Sequence, residues 1–566
     1  MASSWQNRLL CRDKVQEISR KYDLHPIATK CLLSRLKTTS SDEEDEKEIQ
    51  SILGELEYQP ADPFLLNDMH EAVERILLAI KRNEKICVFG DYDADGVTAI
   101  AILTRAIKAL GGNTYYYIPD RFSEGIGLAE DCLDEIVMEH RADLIVTVDC
   151  GCRNVAEVEY AKSRNLDVII TDHHIPGDVL PDALAVINPK RQDSNYPFGD
   201  LCGAGVAYKV VEALAKRFPR RFDLANYQKI AAIGTIADMV PLRAENRWLV
   251  QQGLKAISSD TKGPIRTLLR KVGIRNQVYA HDISYKIAPR INAPGRLGDP
   301  ATAISFFLKK NNCFEVNKLV DIMDGMNYIR QMLERELESR LVHQIRALSR
   351  KQLPPFILLA GKNWHRGILG ITACKMLRKF SRPVCVLSYD SKEANGSLRG
   401  VPGVNLIDAL NEIRSLFTSF GGHAEAAGVS LDLTNLPQFK QRMNELLEPH
   451  VHQLDVQPVS EIDAELEWSD INRALFDDLM KLEPFGSGNA TPVFVSRNLI
   501  LETDIQRNGP WLSFTASDGL VKHKCSFYHP DELEFEFERY DSLDLMYSIS
   551  PFRDDFQIQI IEMKPS

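Results

Sequence analysis

Three aspartates, Asp91, Asp93 and Asp95, lie within five residues directly after the apolar run ICVF. Like charges a few ångströms apart repel each other, and a carboxylate that leaves water without a partner costs free energy. The cluster therefore requires either full exposure to solvent or cations that neutralise it. Two later apolar runs end in similar groups, which are Asp149 in TVDCG and Asp172, His173 and His174 in TDHH.

Carboxylate oxygens combined with imidazole nitrogens predict a divalent metal site. These donors suit Mn²⁺ or Mg²⁺ better than a thiolate-bound zinc ion. Two ions about 4 Å apart can share a bridging carboxylate, lower the pKa of a bound water and hold phosphate oxygens for an in-line displacement. A D-x-D-x-D pattern alone also fits a solvated loop or a calcium site, whereas its combination with the two later groups favours the metal pair. Cys150 and Cys152 in VDCGC form a lone C-x-C, which is more typical of two buried small residues than of a zinc site.

The elements that must position these groups begin near residue 85. Apolar runs of four to seven residues, among them KICVFG, DLIVTVD and DVIITD, alternate with segments of helical periodicity. This alternation predicts βαβ units and a parallel sheet that is buried on both faces. Ligands of such sheets bind where the strands end at their carboxyl edge. The sequence therefore predicts an α/β fold whose sheet edge collects the acid and imidazole groups.

The chain divides into five predicted regions. Residues 1–60 are helical and acidic, and residues 61–315 form the catalytic α/β domain. Residues 316–353 keep helical spacing without a proline and are long enough to bridge two domains. Residues 354–455 predict a second, smaller α/β domain. Residues 456–566 contain short alternating strands such as WLSFTASDG and FQIQIIE, which predict an all-β domain with no further module after it.

Length, composition and charge exclude several classes of protein. A chain of 566 residues is too long for one hydrophobic core, and no apolar run approaches the roughly 20 residues that span a bilayer. The N-terminus lacks the apolar core of a signal peptide, and the 11 cysteines are scattered, so we expect a reducing, cytoplasmic location. The net charge of −11 argues against a protein that coats nucleic acid through bulk positive charge, although a local basic groove is compatible with it. The acidic run from Ser40 to Glu48 is interpreted as a solvated helix start or loop.

Four motifs along the predicted sheet carry a resemblance to a known family. The segments VFGDYDADG, TVDCG, TDHH and TIADMVPLRAENR are similar to the successive motifs of the DHH phosphoesterase superfamily. Their order and context resemble the bacterial members that degrade single-stranded DNA. Six further segments resemble motifs of these exonucleases in the same order, so that the resemblance covers roughly residues 60 to 500; they are IPDRFSEGIGL, APRINAPGRLGDP, NWHRGILGI, SLRG, FGGHAEAAGVSL and LEPFGSGNATPVF.

The resemblance implies a role for each acid and imidazole group of the sheet edge. It implies five metal ligands, which are Asp93, Asp95, Asp149, His173 and Asp238. Asp149 is the expected bridge between two ions, and Asp238 without its motif would equally suit a helix cap after GTIA. Asp91 and His174 complete the site, and His174 is expected to contact the scissile phosphate or to support a metal. Asp172 is expected to orient an imidazole from outside the set of ligands.

The resemblance also implies where the DNA backbone binds. Lys286, Arg290 and Arg296 belong to KIAPRINAPGRL, which we interpret as a loop-like segment because of its prolines and glycine. A single arginine is more often a surface charge, but the planar guanidinium suits phosphate oxygens, and the surrounding motif favours DNA binding.

A pocket for a terminal 5′-phosphate is implied in the second α/β domain. Ser397 and Arg399 of NGSLRG are its expected residues, and Arg121 of IPDRFSEG is expected to face them across the cleft. Such a pocket would set the polarity of digestion because it accepts only one kind of strand end. In FGGHAEAAG, glycines let backbone amides approach a phosphate, and a histidine adds a donor. These residues are Gly421, Gly422 and His423.

The C-terminal region resembles the OB-type domain of these exonucleases, which binds single strands through aromatic side chains and positive charge. The segment LEFEFER departs from that pattern, because Glu534, Glu536 and Glu538 give one face of a predicted half-buried strand a negative charge. Either the binding face lies on other strands, or this domain has a reduced role in DNA binding. The candidate contacts on other strands are Trp511, Lys522 and Lys524.

Together these features predict a metal-dependent exonuclease that digests single-stranded DNA from 5′ to 3′ and releases 5′-mononucleotides in repair and recombination. Its expected cofactors are two divalent ions, Mn²⁺ or Mg²⁺. We expect a monomer, with single-stranded DNA as substrate and a single-strand-binding protein or a helicase as candidate partners. One alternative is a DHH-type phosphodiesterase for oligonucleotides or cyclic dinucleotides, which the OB-like domain and the long helix disfavour. Another is a catalytically inactive DNA-binding scaffold, which the complete set of ligands disfavours.

Overall fold

A computed structural model of the chain describes residues 4–7, 11–36, 41–119, 127–311, 313–346, 353–450, 459–509, 511–528, 537–552 and 555–566. Its helices are α1 (Arg12–Lys21), α2 (Pro26–Leu33), α3 (Asp42–Leu53), α4 (Met69–Arg82), α5 (Ala94–Ala109), α6 (Glu130–Met138), α7 (Val155–Ser163), α8 (Gly203–Arg217), α9 (Leu224–Ala237), α10 (Ala244–Ser259), α11 (Pro264–Lys271), α12 (Ala280–Asp282), α13 (Ala288–Leu297), α14 (Ala301–Leu308), α15 (Phe314–Arg346), α16 (Arg366–Phe380), α17 (Leu406–Glu412), α18 (Leu436–Leu447) and α19 (Arg473–Met480).

The strands form four sheets. They are β1 (Ser4–Asn7), β2 (Lys85–Gly90), β3 (Asn113–Tyr117), β4 (Leu144–Val148), β5 (Asp167–Thr171), β6 (Ala185–Ile187), β7 (Ile357–Lys362), β8 (Val384–Tyr389), β9 (Glu393–Arg399), β10 (Ser419–His423), β11 (Ala426–Asp432), β12 (Val459–Ile462), β13 (Ala464–Glu465), β14 (Phe494–Leu501), β15 (Gln506–Asn508), β16 (Trp511–Ser517), β17 (Lys522–Tyr528), β18 (Ser542–Phe552) and β19 (Asp555–Pro565).

The first sheet is fully parallel, and its five strands follow the order β3-β2-β4-β5-β6. One core joins a face of this sheet to α5, α8 and α9, and a second core joins the opposite face to α6 and α7. The last residues of the three adjacent strands, Gly90, Val148 and Thr171, are paired in register. The residues that follow these strands therefore leave the sheet side by side, as the alternation of strands and helices predicts.

Helix α15 connects this domain to a second one. Its first half packs into the core of the first domain through Val316 and Met323. Its second half packs through Leu337 and Leu341 into another core, together with residues of β7, β8 and α16. The predicted bridging helix is therefore confirmed.

The second domain contains a mixed sheet of five strands in the order β10-β11-β9-β8-β7. The pair β7–β8 is parallel, and the other three pairs are antiparallel. This sheet is the predicted smaller α/β domain. The segment FGGHAEAAG forms strand β10 and the start of β11, so its glycines lie in a β-hairpin rather than in a separate loop.

The C-terminal domain is built on a sheet of seven strands in the order β13-β14-β18-β19-β17-β16-β15, and β14 also pairs with β16. This arrangement confirms the predicted all-β architecture. One core joins Val15, Leu32 and Ile49 of helices α1 to α3 to Trp468 and Tyr547 of this domain. Strand β1 also pairs in parallel with β12. The two ends of the chain therefore form one folded unit, which the sequence did not predict.

One local expectation is wrong. The segment KIAPRINAPGRL is helical rather than loop-like, since it forms a π-helical turn followed by α13. Pro289 lies in the first turn of α13, directly after the π-helical turn, and Pro294 lies near the end of the helix. The acidic run, in contrast, begins α3 as a solvated helix start, with a capping box between Ser41 and Glu44.

The domain boundaries stay predictions. The core of the first domain runs from Leu66 to Met323, and that of the second runs from Phe356 to Leu447. Among the helices in the described part of the chain, none has both the length and the apolar character that a membrane span requires.

Candidate metal centre and nucleic-acid cleft

Ligand-type side chains converge at the carboxyl edge of the first sheet. Nε2 of His173 lies 3.1 Å from Oδ1 of Asp149, 3.8 Å from Oδ2 of Asp238 and 3.9 Å from Oδ2 of Asp95. Asp149, His173 and His174 form one group whose ligand atoms all lie within 4.8 Å of one another, and Asp95, His173 and Asp238 form a second. His173 belongs to both groups, so the edge contains two overlapping candidate metal sites.

The start of helix α8 holds the carboxylate of Asp95. Oδ2 accepts the N–H of Gly203 at 2.6 Å, and Oδ1 accepts the N–H of Ala204 at 2.8 Å. Asp95 is only 1% exposed, and a helix N-terminus favours a buried negative charge. Two glycines permit this close packing, since a Cβ at Gly203 would lie 2.6 Å from Asp149 and a Cβ at Gly234 would lie 2.8 Å from Oδ1 of Asp95.

Asp149 has the features of a metal ligand. It follows β4 with a φ of +60°, in the left-handed region that aspartate tolerates better than most residues. Its side chain is 4% exposed, and within the described residues its Oδ1 has no hydrogen-bond donor. A buried carboxylate oxygen without a donor is costly, and a cation removes that cost. The orphaned oxygen and the oxygen-rich, partly imidazole donor set both fit Mn²⁺ or Mg²⁺.

Burial and mutual repulsion raise the pKa values of three carboxyl groups. Burial, followed by the charge of Asp93, raises the pKa of Asp95 to about 6. Burial, followed by the charge of Asp95, raises the pKa of Asp238 to about 7 and that of Asp149 well above its ordinary value. The chain alone therefore accommodates these charges poorly, as expected for a functional site that cations complete.

Asp91 and Asp93 lie at the start of α5. Oδ1 of Asp93 caps this helix by accepting the N–H groups of Asp95 at 2.9 Å and Gly96 at 3.0 Å. Oδ1 of Asp91 accepts the N–H of Tyr92 at 2.6 Å. Neither residue belongs to the two ligand groups described above, so the predicted roles of Asp93 as a ligand and of Asp91 in the site stay predictions.

Asp172 contacts the ring of His174. Oδ1 of Asp172 lies 2.8 Å from Nδ1 of His174, and it also accepts the backbone N–H groups of His173 at 2.7 Å and His174 at 3.1 Å. Burial opposes the charge of Asp172, but hydrogen bonds from His174 and Cys152 hold its pKa below the ordinary value. The hydrogen bond to Asp172 raises the pKa of His174, whereas burial lowers the pKa of His173 and favours the neutral imidazole that binds metals.

Asp172→Asn is expected to lower kcat for single-strand cleavage by about 10- to 100-fold, because the amide lacks the charge that orients His174. Steady-state kinetics would measure this effect, and the Kd for single-stranded DNA should change little. His174→Asn should cause a similar loss, and the double variant should be no slower than His174→Asn alone because the two residues act as one unit. A double variant in which the two losses multiply would contradict this role for Asp172.

The stability gained from Mn²⁺ is expected to grow with pH. The folded-state pKa values of about 6 and about 7 for Asp95 and Asp238 exceed the ordinary value of 3.8, so the metal-free fold binds protons more tightly than the unfolded chain. The stability of the metal-free protein should therefore fall as the pH rises from about 4 through about 7, and Mn²⁺, which displaces those protons, should offset this loss. Thermal unfolding with Mn²⁺ and with EDTA between pH 5 and pH 8 measures the difference in Tm. A difference that stays constant over this range would contradict the raised pKa values.

The predicted 5′-phosphate residues lie together on β9. Nη1 of Arg399 donates to Oγ of Ser397 at 2.7 Å and to the carbonyl of Leu398 at 2.7 Å, and Nε lies 3.2 Å from Sγ of Cys374 on α16. A Cβ at Gly370 of α16 would lie 3.0 Å from Nη2 of Arg399, so the glycine leaves room beside the guanidinium. In the described part of the chain no carboxylate forms an ion pair with Arg399. Its charge is therefore available to an anionic ligand.

The β10–β11 hairpin brings the second domain close to the sheet edge of the first. Burial, followed by the charges of Arg153 and His174, lowers the pKa of His423. Arg153 and His174 belong to the first domain. The imidazole of His423 therefore lies close enough for electrostatic interaction with both residues across the cleft. Three predicted residues of this hairpin are exposed, and these are Gly421, Gly422 and His423.

Two predicted backbone contacts already have carboxylate partners. Nζ of Lys286 lies 2.8 Å from Oδ1 of Asp282, and Nε of Arg290 lies 2.8 Å from Oδ1 of Asp324. These pairs reduce the charge that either cation presents to DNA. Their predicted contact with the strand stays a prediction.

Arg296 connects the two α/β domains. Its Nη1 donates to the carbonyl of Gly367 at 3.4 Å, and a Cβ at Gly367 would lie 2.0 Å from the carbonyl oxygen of Arg296. Only glycine fits this crossing of two chain segments, which lies in the predicted motif NWHRGILGI. Arg121, the residue predicted to face the phosphate pocket, lies outside the described residues.

The candidate DNA contacts of the C-terminal domain lie on neighbouring strands. Trp511 is 39% exposed, and its ring centroid lies 4.8 Å from that of Tyr528. Lys522 and Lys524 are exposed on β17, although Lys522 forms an ion pair of 2.9 Å with a glutamate. Of the acidic segment, Glu538 is exposed, whereas Glu534 and Glu536 lie outside the described residues. The predicted choice between a binding face on these strands and a reduced DNA role therefore stays open.

Sequence reasoning missed the residues that support the ligands. The small residues Gly203, Ala204 and Gly234 let α8 and α9 approach Asp95. Oδ1 of Asn292 accepts the N–H of Ala94 at 2.7 Å and so holds the start of α5. The signals for them were the small-residue run CGAG and the polar asparagine within APRINAPG.

Comparisons with known proteins divide the chain in the same way. The model described as DHH family, N-terminal domain matches residues 85–237, the DHHA1 domain matches residues 353–448, and the RecJ OB domain matches residues 462–561. The parallel sheet with its acidic carboxyl edge, followed by the second domain, defines a phosphoesterase of the DHH class.

Individual relatives narrow this class. The chain is 32% identical over 569 residues to the single-stranded-DNA-specific exonuclease RecJ of Dickeya dadantii, and the match covers 95% of this chain and 96% of that relative. This chain therefore belongs to the RecJ family. The Bacillus subtilis relative is 34% identical over 508 residues, or 89% of this chain, but the chain spans only 63% of its length. The crystal structure of RecJ in complex with Mn²⁺ from Thermus thermophilus has a TM-score of 0.80 at 27% identity, and the match covers 100% of this chain and 80% of that chain.

Proposed function

We propose that the chain is a metal-dependent exonuclease that digests single-stranded DNA from its 5′ end and releases 5′-mononucleotides in repair and recombination. The observation that carries this proposal is the pair of overlapping ligand groups at the sheet edge, close to His423 of the second domain. The relatives are named single-stranded-DNA-specific exonucleases, and the related Thermus thermophilus structures contain Mn²⁺ or Mg²⁺.

Two divalent ions would be held by Asp95, Asp149, His173 and Asp238, with Asp93 as the fifth ligand. When bound, such ions supply Lewis acidity at the phosphodiester and a water of lowered pKa for attack on phosphorus. The buried carboxylates exclude bulk water from their own oxygens and keep the ligand atoms in fixed positions. Nδ1 of His174 is engaged by Asp172, which leaves its Nε2 to contact the scissile phosphate or to support a metal.

The 5′ end of the strand is held by Ser397 and Arg399. The guanidinium of Arg399 has no carboxylate partner among the described residues, and Oγ of Ser397 lies 2.7 Å from its Nη1. A positive charge beside a hydroxyl group matches a terminal phosphate. Arg121 is proposed to face this phosphate from the other side of the cleft. The exposed glycines of the β10–β11 hairpin and His423 donate to the backbone between the terminal phosphate and the scissile bond. Polarity then follows because only a 5′ end reaches both places.

Selection for a single strand is proposed to follow from a narrow cleft between the two α/β domains, since the hairpin lies within electrostatic reach of the sheet edge. A duplex, whose major groove alone is about 12 Å wide, is too broad for such a cleft. The cleft motifs contain no constellation for base-specific recognition, so we propose digestion that is independent of base sequence and processive once a 5′ tail is threaded. The complete ligand groups argue against a catalytically inactive scaffold.

End-labelled oligonucleotides test the proposed activity. Single-stranded DNA, duplex DNA and single-stranded RNA, each labelled at the 5′ or 3′ end, are incubated with Mn²⁺ or Mg²⁺, and the products are sized. We expect 5′-mononucleotides from single-stranded DNA at the earliest time points. Asp178→Asn removes an exposed carboxylate outside the site and is the control for a change of charge. Digestion exclusively from 3′ ends would overturn the proposal.

Replacing Arg290 and Arg296 together by glutamine should flatten the slope of log affinity against log salt by about 1.4 units, because each single-strand phosphate contact contributes about 0.7. The partner Asp324 of Arg290 makes this figure an upper bound. Fluorescence anisotropy with Ca²⁺ in place of the active metal measures binding without cleavage. The matched control Lys522→Gln/Lys524→Gln removes the same charge from the C-terminal domain. If the slope becomes flatter in the control variant and stays unchanged in the arginine variant, the DNA binds along the C-terminal domain instead.

We further propose that the protein is a cytoplasmic monomer that works beside a single-strand-binding protein or a helicase. All 11 cysteines are free thiols, which agrees with a reducing compartment. Size-exclusion chromatography with light scattering tests the monomer, and a single-strand-binding protein added to the digestion assay tests the partner.

A further inference from the structure

A small basic cavity lies on the first domain between α5, α9, α11 and the segment after α14. Its volume is about 40 Å³, roughly three times the 10–15 Å³ that a single buried water needs. The polar side chains of its lining are Arg105, Asn226, Lys229, Asp260, Lys309 and Lys310. The cavity therefore has room for a small polar ligand and a lining dominated by cations.

This cavity is separate from the metal centre and from the Ser397–Arg399 pocket. Arg105 follows Ala94, the first residue of α5, by 11 residues, which corresponds to about 16 Å along the helix. Asn226 likewise lies near the start of α9, whereas Asp238 follows its end. The cavity thus lies at the far ends of the two helices whose other ends carry Asp95 and Asp238.

The positive charge of the cavity is incompletely neutralised by the protein. Four cations and one carboxylate line it, which gives a net charge of +3. Asp260 pairs with Lys229 at 3.0 Å, and Glu315 pairs with Lys309. Within the described ranges of the chain, neither Arg105 nor Lys310 has a carboxylate partner.

Arg105 is a half-buried cation of this cavity and has few protein partners. Its Nη1 donates one hydrogen bond to the carbonyl of Phe307 at 3.4 Å, and its guanidinium lies 5.8 Å from the ring centroid of Tyr227. Burial lowers the pKa of Arg105, with only Tyr227 acting in the opposite direction. This half-buried guanidinium has further N–H groups without an acceptor among the described residues, and an anion can accept them.

The carboxylate of Asp260 competes little with an anion for the cations of this cavity. Oδ1 accepts the N–H groups of Lys262 at 3.1 Å and Gly263 at 2.9 Å at the start of α11, and Oδ2 accepts Lys229 at 3.0 Å. Its hydrogen-bonding capacity is therefore directed towards the protein. An anion can approach Arg105 and Lys310 without meeting a free carboxylate.

We propose that this cavity binds a phosphate group, either as inorganic phosphate or as the phosphomonoester of a nucleotide. A guanidinium presents paired N–H donors that match two phosphate oxygens, and ammonium groups neutralise the remaining charge. The apolar side chains of Ile230, Ile265 and Phe307 in the lining lower the local dielectric and strengthen these contacts. The proposal does not rest on the proposed nuclease function.

Calorimetric titration of the full chain with its Mg²⁺ tests this site. The probes are inorganic phosphate, deoxyadenosine 5′-monophosphate and deoxyadenosine. All measurements use an Arg399→Ala background, so that the pocket on β9 does not contribute. We expect Arg105→Gln to weaken phosphate binding at least tenfold, whereas Lys255→Gln, which removes one exposed cation of α10, leaves it unchanged.

A second variant keeps the test decisive if Arg105→Gln does not fold. Lys309→Gln/Lys310→Gln changes the exposed side of the cavity and should also weaken phosphate binding at least tenfold. Binding of the nucleotide with the same dependence on Arg105 identifies a phosphomonoester ligand, and binding of phosphate alone identifies the free ion. Equal phosphate affinity in the Arg105 or Lys309/Lys310 variant and the Lys255 control, or equal affinity for deoxyadenosine and its monophosphate, would overturn the proposal.

Discussion

Asp149→Asn is expected to reduce cleavage of single-stranded DNA by at least about 10³-fold, which corresponds to about 4 kcal/mol of transition-state stabilisation. Asp149 is buried beside His173, its Oδ1 has no donor in the described part of the chain, and its pKa is raised by burial and by Asp95. An amide oxygen in its place cannot neutralise a divalent ion. Single-turnover digestion of a 5′-phosphorylated oligonucleotide measures the loss.

The same substitution should stabilise the protein when no metal is present. Removing one of several repelling buried carboxylates raises the Tm in EDTA at pH 8, and it should also reduce the rise in Tm that Mn²⁺ causes in the wild type. Asp178→Asn removes an exposed carboxylate from the loop after TDHH and is the matched control, with both quantities unchanged. A folded Asp149→Asn protein with near-normal turnover would refute the predicted role of Asp149 as the bridging ligand.

Arg399→Ala should weaken the use of 5′-phosphorylated strands by about 10- to 100-fold, since a charge-assisted contact of this kind is worth about 1.5 to 3 kcal/mol. Strands with a 5′-hydroxyl end lack the terminal phosphate that Arg399 binds, so their kcat/KM should fall much less. Competition between the two oligonucleotides in one reaction measures the ratio directly.

The control for this effect is Arg378→Ala, which removes an exposed arginine from α16 in the same domain. Arg378→Ala should leave unchanged the ratio of kcat/KM for the 5′-phosphorylated strand to kcat/KM for the 5′-hydroxyl strand. An equal loss on both substrates in Arg399→Ala would make Arg399 a general contact of the backbone and would leave polarity without an explanation at this pocket.

The sheet edge could be predicted because its geometry follows from local pattern. Three short apolar runs, each followed by acid or imidazole groups, imply three parallel strands whose carboxyl ends meet. The structure accordingly places Oδ1 of Asp149 3.1 Å from Nε2 of His173. The roles of individual ligands needed the motif resemblance, because Asp93 could equally cap a helix and in fact caps α5.

Other features could not be predicted because they depend on contacts between distant segments. The N–H groups of Gly203 and Ala204 that hold Asp95 come from a helix about a hundred positions later, and no local periodicity encodes that meeting. The helical form of KIAPRINAPGRL was missed because prolines and a glycine normally break helices, whereas here Pro289 lies in a first turn. Periodicity also says nothing about which exposed cations find carboxylate partners, as Lys286 and Arg290 do.

The core shared by the two ends of the chain has a consequence for biosynthesis. Helices α1 to α3 leave the ribosome before the C-terminal domain, yet their apolar face packs on residues from Ala464 onwards. Elongation at about 5 to 20 residues per second separates the two segments by about 20 to 80 seconds. During this interval Val15, Leu32 and Ile49 have no partner from the C-terminal domain, while the parallel sheet can already form. Docking of these helices therefore waits for the C-terminal domain, and a nascent chain stalled before residue 464 exposes them to proteases and chaperones.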